Sequence, residues 1–239
     1  MSAHDRSKAL MPERDQRGGC LMRPVGAAGR VWAAGVLALA GLAGSLMVGL
    51  ANSAAADKPA AVPARTEKAT FAGGCFWCVE ADFDKVPGVI STTSGYTGGT
   101  VANPTYAQVS AKGTGHAEAV EIVFDPARVR YEDLLDRYWR SIDPTTKDRQ
   151  FCDVGSPYRT AIFTHGPQQA AAARASLDRL QGTKPFAQAI VTTLHEAGAF
   201  YPAEAEHQDY HLKNPIRYRY YRQSCGRDAR LQQLWGATK

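Results

Sequence analysis

Two cysteines, three residues apart, dominate the chemistry that this sequence can support. Cys75 and Cys78 lie in AGGCFWCVEADF (72–83), after two glycines and at the predicted start of a helix. The backbone N–H groups and the dipole of a helix N-terminus favour a thiolate, so the pattern predicts a reactive sulfur at Cys75. A Cys-x-x-Cys pair also fits a redox couple, a disulfide or half of a zinc site, and all three remain open on this evidence.

A metal or haem centre is poorly supported. His207 and His211 are four residues apart, but the glutamate of an HExxH zinc motif is missing. A c-type haem needs a histidine directly after the second cysteine, and Val79 follows Cys78. We therefore expect no metal and no prosthetic group.

A carboxyl group lies on an apolar strand face. In GHAEAVEIVF, the alternation of a β-strand puts Glu118 on the same side as Val120, Ile122 and Phe124. Burial penalises the charged form of an unpaired carboxylate, so Glu118 is predicted to keep its proton and to serve as a general acid. The alternative is a strand-end residue that turns towards solvent.

Three further polar residues lie in turn-like segments. Asp153 and Tyr158 flank the Gly-Ser-Pro turn of QFCDVGSPYRTAIF, and Tyr96 is predicted to lie in the glycine turn SGYTGG. Tyrosines in turns are often surface aromatics. A thiol, a neutral carboxyl and two phenols can, however, polarise an oxygen atom together.

The elements that would position these residues are strands mixed with helices. The strand-like segments are KATFAGG, GVISTTSGYTGG, AEAVEIVFDP, YRTAIF and AIVTTL. Helices are predicted from about Cys75, over 131–139, from Pro167, and over AEAEHQDYH and RDARLQQLW. This composition predicts a single α/β domain, an α+β two-layer sandwich with a mixed sheet.

The first 56 residues differ from the rest. Residues 31–50 are uncharged and apolar, basic residues precede them, and an Ala-x-Ala site follows at 54–56. The pattern predicts a signal peptide and export, to the periplasm, with an uncleaved anchor in the inner membrane as the alternative. Residues 57–67 read as a linker and 68–239 as the folded domain.

Charge and cysteine content narrow the function classes. Six of the 28 Lys and Arg residues lie in the predicted leader. The other 22 nearly balance the 20 Asp and Glu residues of the predicted mature chain, so the charge does not indicate nucleic-acid binding. Four cysteines remain, which in an oxidising compartment also fits a non-enzymatic scaffold with two structural disulfides.

Six ordered motifs resemble the A-type peptide-methionine (S)-S-oxide reductases. They are GGCFWC, GYTGG, NPTY, TGHAEAVEIVFDP, DVGSPYR and AEHQDYHLKNP, and the resemblance runs from about residue 71 to residue 215. It implies a two-layer α/β fold with a ferredoxin-like core. It also implies reduction of the S epimer of methionine sulfoxide, free or in proteins, and hence repair of oxidised proteins. The reductant would be thioredoxin or a thioredoxin-like protein, and we expect a monomer.

The resemblance assigns roles by matching position. Cys75 would attack the sulfoxide sulfur and become a sulfenic acid, while Glu118 protonates the oxygen. The other implied roles are hydrogen bonds to that oxygen from Tyr96 and Tyr158, an apolar pocket from Phe76 and Trp77, and orientation of substrate and water by Asp153.

The resolving thiol is where the sequence departs from the family pattern. Many members have glycine at the position of Cys78 and no cysteine at that of Cys152, and their tails are glycine-rich. We expect Cys225, on a tail that can swing towards Cys75, to resolve the sulfenic acid, with Cys78 second and Cys152 third. The alternative enzyme is an exported thiol–disulfide oxidoreductase that uses the Cys75/Cys78 pair.

Overall fold

The computed structural model describes residues 65–236, so the predicted leader and most of the linker lie outside the described residues. The strands are β1 (Glu67–Gly73), β2 (Val89–Thr97), β3 (Ala117–Phe124), β4 (Arg149–Gln150), β5 (Asp153–Val154), β6 (Thr160–Thr164), β7 (Thr193–Glu196) and β8 (Phe200–Pro202). The α-helices are α1 (Phe76–Phe83), α2 (Tyr106–Ser110), α3 (Tyr131–Ser141), α4 (Pro167–Thr183), α5 (Tyr210–Lys213), α6 (Pro215–Ser224) and α7 (Arg227–Trp235), and a 3₁₀-helix spans Ser156–Tyr158. Within this range no helix combines the length and apolar character that crossing a bilayer requires.

The main sheet has six strands in the order β7-β6-β1-β3-β2-β8. Its pairs are antiparallel except β6–β7, which is parallel, so the predicted mixed sheet is confirmed. The succession β1-α1-β2-β3-α3-β6, with spatial order β6-β1-β3-β2, is a β-α-β-β-α-β unit. The predicted ferredoxin-like core is therefore confirmed.

One face of this sheet carries the main hydrophobic core. The alternating residues Val120, Ile122 and Phe124 of β3 are fully buried against α1 and α3, as the period-2 pattern predicts. Glu118 lies on the same face, at the end of this apolar row. The core therefore encloses the carboxyl group rather than leaving it at a wet strand end.

The segment before α5 differs from its predicted helix. Of the segment AEAEHQDYH (203–211), only the last two residues, Tyr210 and His211, are helical, as the start of α5. The side chain of Gln208 instead bonds the backbone N–H and C=O of Ser94, and Asp209 adopts a left-handed φ of 53°. These contacts tie an irregular loop to β2, and this loop supplies side chains to the site described below.

The C-terminal tail is helical and firmly packed. Arg227 is buried and donates hydrogen bonds to the carbonyls of Gly73 and Ser141. Arg222 forms ion pairs with Asp82, at 2.9 Å, and with Asp228, at 2.7 Å. These contacts hold α6 and α7 against α1 and α3 in this state.

Candidate active site

Cys75 caps the N-terminus of α1 at the bottom of a crowded turn. Gly74 has a left-handed φ of +83°, and a Cβ on it would lie 2.5 Å from Cβ of Gln150. A Cβ on Gly73 would lie 2.9 Å from Cγ2 of Ile142. The glycines are therefore required by close packing around the turn, which leaves the Cys75 side chain only 6% exposed.

The Glu118 carboxyl lies at the start of α1, where it binds the backbone of the residue that follows Cys75. Its Oε2 accepts a hydrogen bond of 3.0 Å from the backbone N–H of Phe76, the first residue of α1. Burial, against the opposing effect of this N–H, raises the pKa of Glu118 to about 8, and the charge of Asp153 adds to the rise. Glu118 is therefore mostly protonated at neutral pH, beside the thiol.

The pKa values of the two thiols of the Cys-x-x-Cys pair are shifted in opposite directions. Burial, together with a hydrogen bond to Cys78, raises the pKa of Cys75 well above its ordinary value. The same hydrogen bond, helped by the charges of Arg227 and Arg222, lowers the pKa of Cys78 to about 7. Burial therefore opposes the Cys75 thiolate that the helix N-terminus favours, and the hydrogen bond between the two sulfurs favours negative charge on Cys78.

The two predicted tyrosines have different surroundings. Tyr96 lies in β2, directly opposite Glu118 on β3, and not in a turn. Its hydroxyl donates to Oε2 of Glu204 at 2.9 Å, while Oε1 of Glu204 accepts from the N–H of Tyr106 at 2.7 Å. Tyr158 is half-buried, and burial and the charge of Glu118 raise its pKa. Tyr158 thus faces the site, whereas the Tyr96 hydroxyl is committed to Glu204.

Asp153 reaches Cys75 through a tyrosine of the tail. The Tyr221 hydroxyl donates to Oδ2 of Asp153 at 2.6 Å. The Tyr221 side chain also opposes the burial-driven rise of the Cys75 thiol pKa. Burial raises the pKa of Asp153 as well. Tyr221 therefore covers the thiol and links it to the Asp153 carboxyl.

The predicted resolving cysteines fall into two groups. Cys152 and Cys225 form a disulfide with a sulfur–sulfur distance of 2.00 Å, while Cys75 and Cys78 are free thiols. Cys225, the first choice from the sequence, is thus bonded elsewhere, and Cys78 is the thiol in contact with Cys75. The free pair also argues against a scaffold with two structural disulfides.

Phe76 and Trp77 form an aromatic wall beside the thiol. The Phe76 ring is buried and lies 6.3 Å from that of Tyr106. The Trp77 indole stacks on Tyr210 at 3.7 Å, and its Nε1 donates to Nδ1 of His207 at 3.2 Å. Burial lowers the pKa of His207, which keeps this acceptor neutral. His207 is therefore a positioning partner of Trp77.

Few side chains in the part of the chain that the structure describes are grouped in a way that could bind a metal ion. His211 lies 3.5 Å from Asp84, while His207 bonds Trp77, so the two histidines have separate partners. The one set of side chains with ligand-like spacing in residues 65–236 is Cys152, Asp153 and Cys225, and the disulfide uses both of its sulfurs.

Several site residues have no role in the sequence-based prediction. Tyr106 lies in the motif NPTY and Glu204 directly precedes the motif AEHQDYHLKNP. The two motifs could therefore have indicated that these residues belong to the site. Tyr221, Arg222 and Arg227 belong to the tail, whose sequence gives no sign that it packs against Cys75 and Cys78. Their contribution depends on the tertiary fold.

The arrangement can reduce an oxygen-bearing apolar group. It combines a thiol, a second thiol with a lowered pKa, a carboxyl with a raised pKa, a phenol and an apolar wall at one buried point. A general disulfide oxidoreductase would need an accessible attacking sulfur, whereas the exposed fractions of Cys75 and Cys78 are 6% and 2%. The geometry therefore favours a small, enclosed reacting group.

Comparison with known proteins places this chain in one protein family. A family model described as "Peptide methionine sulfoxide reductase" matches residues 67–239. "Peptide methionine sulfoxide reductase MsrA" of Bacillus licheniformis is 52% identical over 172 residues, which cover 72% of this chain and 95% of that protein. The protein of the same name from Bacillus subtilis is 48% identical over 173 residues, which cover 72% and 98%.

The solved structures that resemble this chain are methionine sulfoxide reductases as well. "Methionine sulfoxide reductase A of Corynebacterium diphtheriae" aligns with a TM-score of 0.59 and 38% identity, over 65% of this chain and 78% of that chain. The reduced form of Mxr1 from Saccharomyces cerevisiae aligns with a TM-score of 0.61 and 28% identity, over 65% and 89%.

Proposed function

The chain belongs to the peptide methionine sulfoxide reductase A family, and from this premise we propose that it reduces the S epimer of methionine sulfoxide, free or in proteins, to methionine. The family is one of oxidoreductases. The observation that carries the proposal is the Cys75 thiol next to a Glu118 carboxyl with a pKa of about 8. A repair role for oxidised proteins follows from this activity.

Substrate binding would use the aromatic wall. The S-methyl group packs against Phe76 and Trp77, and the sulfoxide oxygen points towards Glu118 and Tyr158. Asp153, through Tyr221, helps to orient the substrate and any site water. The enclosed site strengthens each of these hydrogen bonds, because few water molecules compete for the oxygen.

The chemical step begins with a proton transfer between the two sulfurs. Cys78, with a pKa of about 7, accepts the proton of Cys75, and the resulting Cys75 thiolate attacks the sulfoxide sulfur. Glu118 gives its proton to the oxygen, which weakens the sulfur–oxygen bond. Methionine leaves with two more electrons, and the oxygen remains on Cys75 as a sulfenic acid.

Recycling would proceed in two stages. Cys78 attacks the Cys75 sulfenic acid, which forms a Cys75–Cys78 disulfide and releases water. The Cys152/Cys225 pair, when reduced, then exchanges with this inner disulfide and becomes the outer disulfide. The contact of Cys78 with Cys75 and the bond between Cys152 and Cys225 support this order over direct resolution by Cys225. A thioredoxin-like protein would reduce the outer disulfide.

Export is part of the proposal and rests on the sequence of residues 1–56 alone. The apolar run at 31–50 and the Ala-x-Ala site at 54–56 support a periplasmic protein, or one anchored to the inner membrane. N-terminal sequencing of the protein recovered from the periplasm checks this. Retention of all 56 residues in a cytoplasmic fraction contradicts it.

The activity is tested with separated epimers of methionine sulfoxide and dithiothreitol as reductant. We expect consumption of the S epimer only, and none with Cys75→Ser. Equal use of both epimers, or no use of either, contradicts the proposal. An insulin-reduction assay on the same preparation tests the alternative of a general thiol–disulfide oxidoreductase.

A further inference from the structure

The β4–β5 hairpin and the end of α6 bring two sulfurs and a carboxylate together. Cys152, Asp153 and Cys225 each offer one ligand-type atom, and these atoms all lie within 4.8 Å of one another. Sγ of Cys152 lies 3.9 Å from Oδ1 of Asp153, and the Cα atoms of the two cysteines are 4.9 Å apart. In the state described above the two sulfurs are bonded to each other, so a cation meets three ligands here only after that bond is reduced.

The spacing of these atoms suits a tetrahedral zinc ion. With Zn–S bonds of about 2.3 Å and a Zn–O bond of about 2.0 Å, tetrahedral ligand atoms lie roughly 3.5 to 3.8 Å apart. The distance between Sγ of Cys152 and Oδ1 of Asp153 is already close to this range. The two sulfurs, 2.00 Å apart in the disulfide, must separate to roughly 3.8 Å, and rotation of the exposed Cys152 side chain can supply this change.

Hydrogen bonds from neighbouring groups orient the three ligands. The Tyr221 hydroxyl donates to Oδ2 of Asp153 at 2.6 Å, which leaves Oδ1, beside Cys152, as the ligand atom. The backbone N–H of Cys152 donates to Sγ of Cys225 at 3.2 Å and stabilises negative charge on that sulfur. Outer hydrogen bonds of this kind fix the ligands of metal sites and raise metal affinity.

The second thiol pair is a poorer site for a cation. The exposed fractions of Cys75 and Cys78 are 6% and 2%, so an ion would have to lose its water in a closed space. Within residues 65–236, the set at the hairpin is also the one group of three such side chains with ligand-like spacing. Metal binding is therefore expected at the outer pair of cysteines rather than at the inner pair.

We propose that Cys152, Asp153 and Cys225, here named the hairpin site, bind a zinc ion when the disulfide is reduced. Water is the fourth ligand, as in other zinc sites with three protein ligands. Both thiols release their protons to solvent as Zn²⁺ binds, and no electron is transferred. Mg²⁺, which requires octahedral oxygen ligands, does not suit two sulfurs.

A bound zinc ion would withhold both outer thiols from the thiol–disulfide cycle. The inner Cys75–Cys78 disulfide could then form but could not pass its oxidation outwards, because neither outer sulfur is available to attack it. This consequence rests on the proposed function, whereas the binding of zinc does not.

Zinc binding is tested on the purified full chain, reduced with a phosphine and mixed with Zn²⁺. A chromophoric chelator measures the zinc that stays bound after gel filtration. We expect one more zinc ion per protein in the reduced form than in the form that keeps the Cys152–Cys225 disulfide. Cys75 and Cys78 are free thiols in the disulfide form as well, so they cancel in the comparison. Equal zinc in the two forms, or displacement of the zinc by Mg²⁺, overturns the proposal.

Two double variants identify the sulfur ligands. Cys75→Ser/Cys78→Ser should keep the zinc that reduction makes possible, and Cys152→Ser/Cys225→Ser should lose it. The reverse pattern assigns the metal to the inner pair and overturns the hairpin site.

The carboxylate ligand is tested with a matched pair of variants. Asp153→Asn should raise the Kd for zinc by about tenfold or more, since even the loss of an outer partner costs about that much. Asp148→Asn, at an exposed carboxylate four residues before Cys152, should keep the wild-type Kd. Equal values for the two variants remove the carboxylate and contradict the three-ligand site.

The effect on the cycle is measured by counting methionine without any added reductant. Fully reduced wild-type protein holds two thiol pairs and should release two methionines from the S epimer of methionine sulfoxide. The zinc-loaded protein should release one, and EDTA should restore the second. Cys152→Ser/Cys225→Ser should release one with or without zinc. Two methionines from the zinc-loaded protein contradict the withholding of the outer thiols. No methionine even without zinc refutes the proposed function instead, and the binding measurements still decide the hairpin site.

Discussion

Replacement of Glu118 by glutamine isolates the proton that the proposed mechanism needs. The Glu118→Gln change keeps the shape of the side chain and an oxygen to accept the N–H of Phe76, but it removes the acidic proton. The pKa of Glu118 is about 8, so roughly nine in ten molecules hold the proton at pH 7. General acid catalysis is typically worth about 10²- to 10⁴-fold, so Glu118→Gln should lower the rate of sulfoxide reduction by that factor.

The pH profile gives a second measure of the same proton. The wild-type rate should rise as the cysteine pair loses its first proton near pH 7, and fall as Glu118 ionises near pH 8. The alkaline fall should disappear in Glu118→Gln. The assay is single-turnover release of methionine by pre-reduced protein across this pH range. A wild-type rate in the variant, or an unchanged alkaline fall, refutes the general-acid role.

Stability provides the structural control for this variant. The folded pKa of Glu118 exceeds its ordinary value of 4.5, so the folded state binds more protons between pH 4.5 and about 8. The stability linked to Glu118 is therefore fully present below pH 4.5 and is lost as the pH rises through about 8, by at most about 5 kcal/mol. Between pH 4.5 and about 8, urea unfolding should show a smaller loss of stability for Glu118→Gln than for the wild type, and an identical pH dependence contradicts the burial of an ionisable group there.

Four further substitutions separate the remaining roles. Cys78→Ser should release one methionine per protein, more slowly than the wild type because Cys78 no longer takes the Cys75 proton, and then stall with Cys75 as a sulfenic acid that dimedone labels; sustained turnover would remove Cys78 from the cycle. Cys225→Ser should still form the Cys75–Cys78 disulfide but turn over slowly with thioredoxin, and a normal rate in NADPH oxidation would exclude the outer stage. Tyr158→Phe should lower kcat by about 10²- to 10³-fold, in line with the loss of one hydrogen bond to the developing charge. Tyr96→Phe should lower kcat less, because the Tyr96 hydroxyl already donates to a carboxylate; the reverse order in steady-state assays would contradict this division.

Local patterns were sufficient for part of the fold and the site. The alternation around Glu118 correctly predicts a buried strand face, because side chains of a strand necessarily alternate between the two faces. The turn of two glycines before Cys75 correctly predicts a strand followed by a helix start. Pro167 likewise marks the first residue of α4.

Tertiary effects account for what the sequence could not predict. The charge state of the Cys75/Cys78 pair depends on burial and on Arg222 and Arg227, which lie near the other end of the chain. The pairing of Cys152 with Cys225 likewise depends on how α6 meets the β4–β5 hairpin. Neither relation leaves a trace in local spacing or periodicity.

The central claim is that the Cys75 sulfur itself takes the oxygen from the substrate. A variant with serine at Cys78, Cys152 and Cys225 retains this one cysteine sulfur in the described part of the chain. Mixed with the S epimer of methionine sulfoxide and dimedone, it should release one methionine per protein, more slowly than the wild type because Cys78 no longer takes the Cys75 proton, and mass spectrometry should find the label on Cys75. Release of no methionine by the correctly folded variant, or a label on any other residue, contradicts the account.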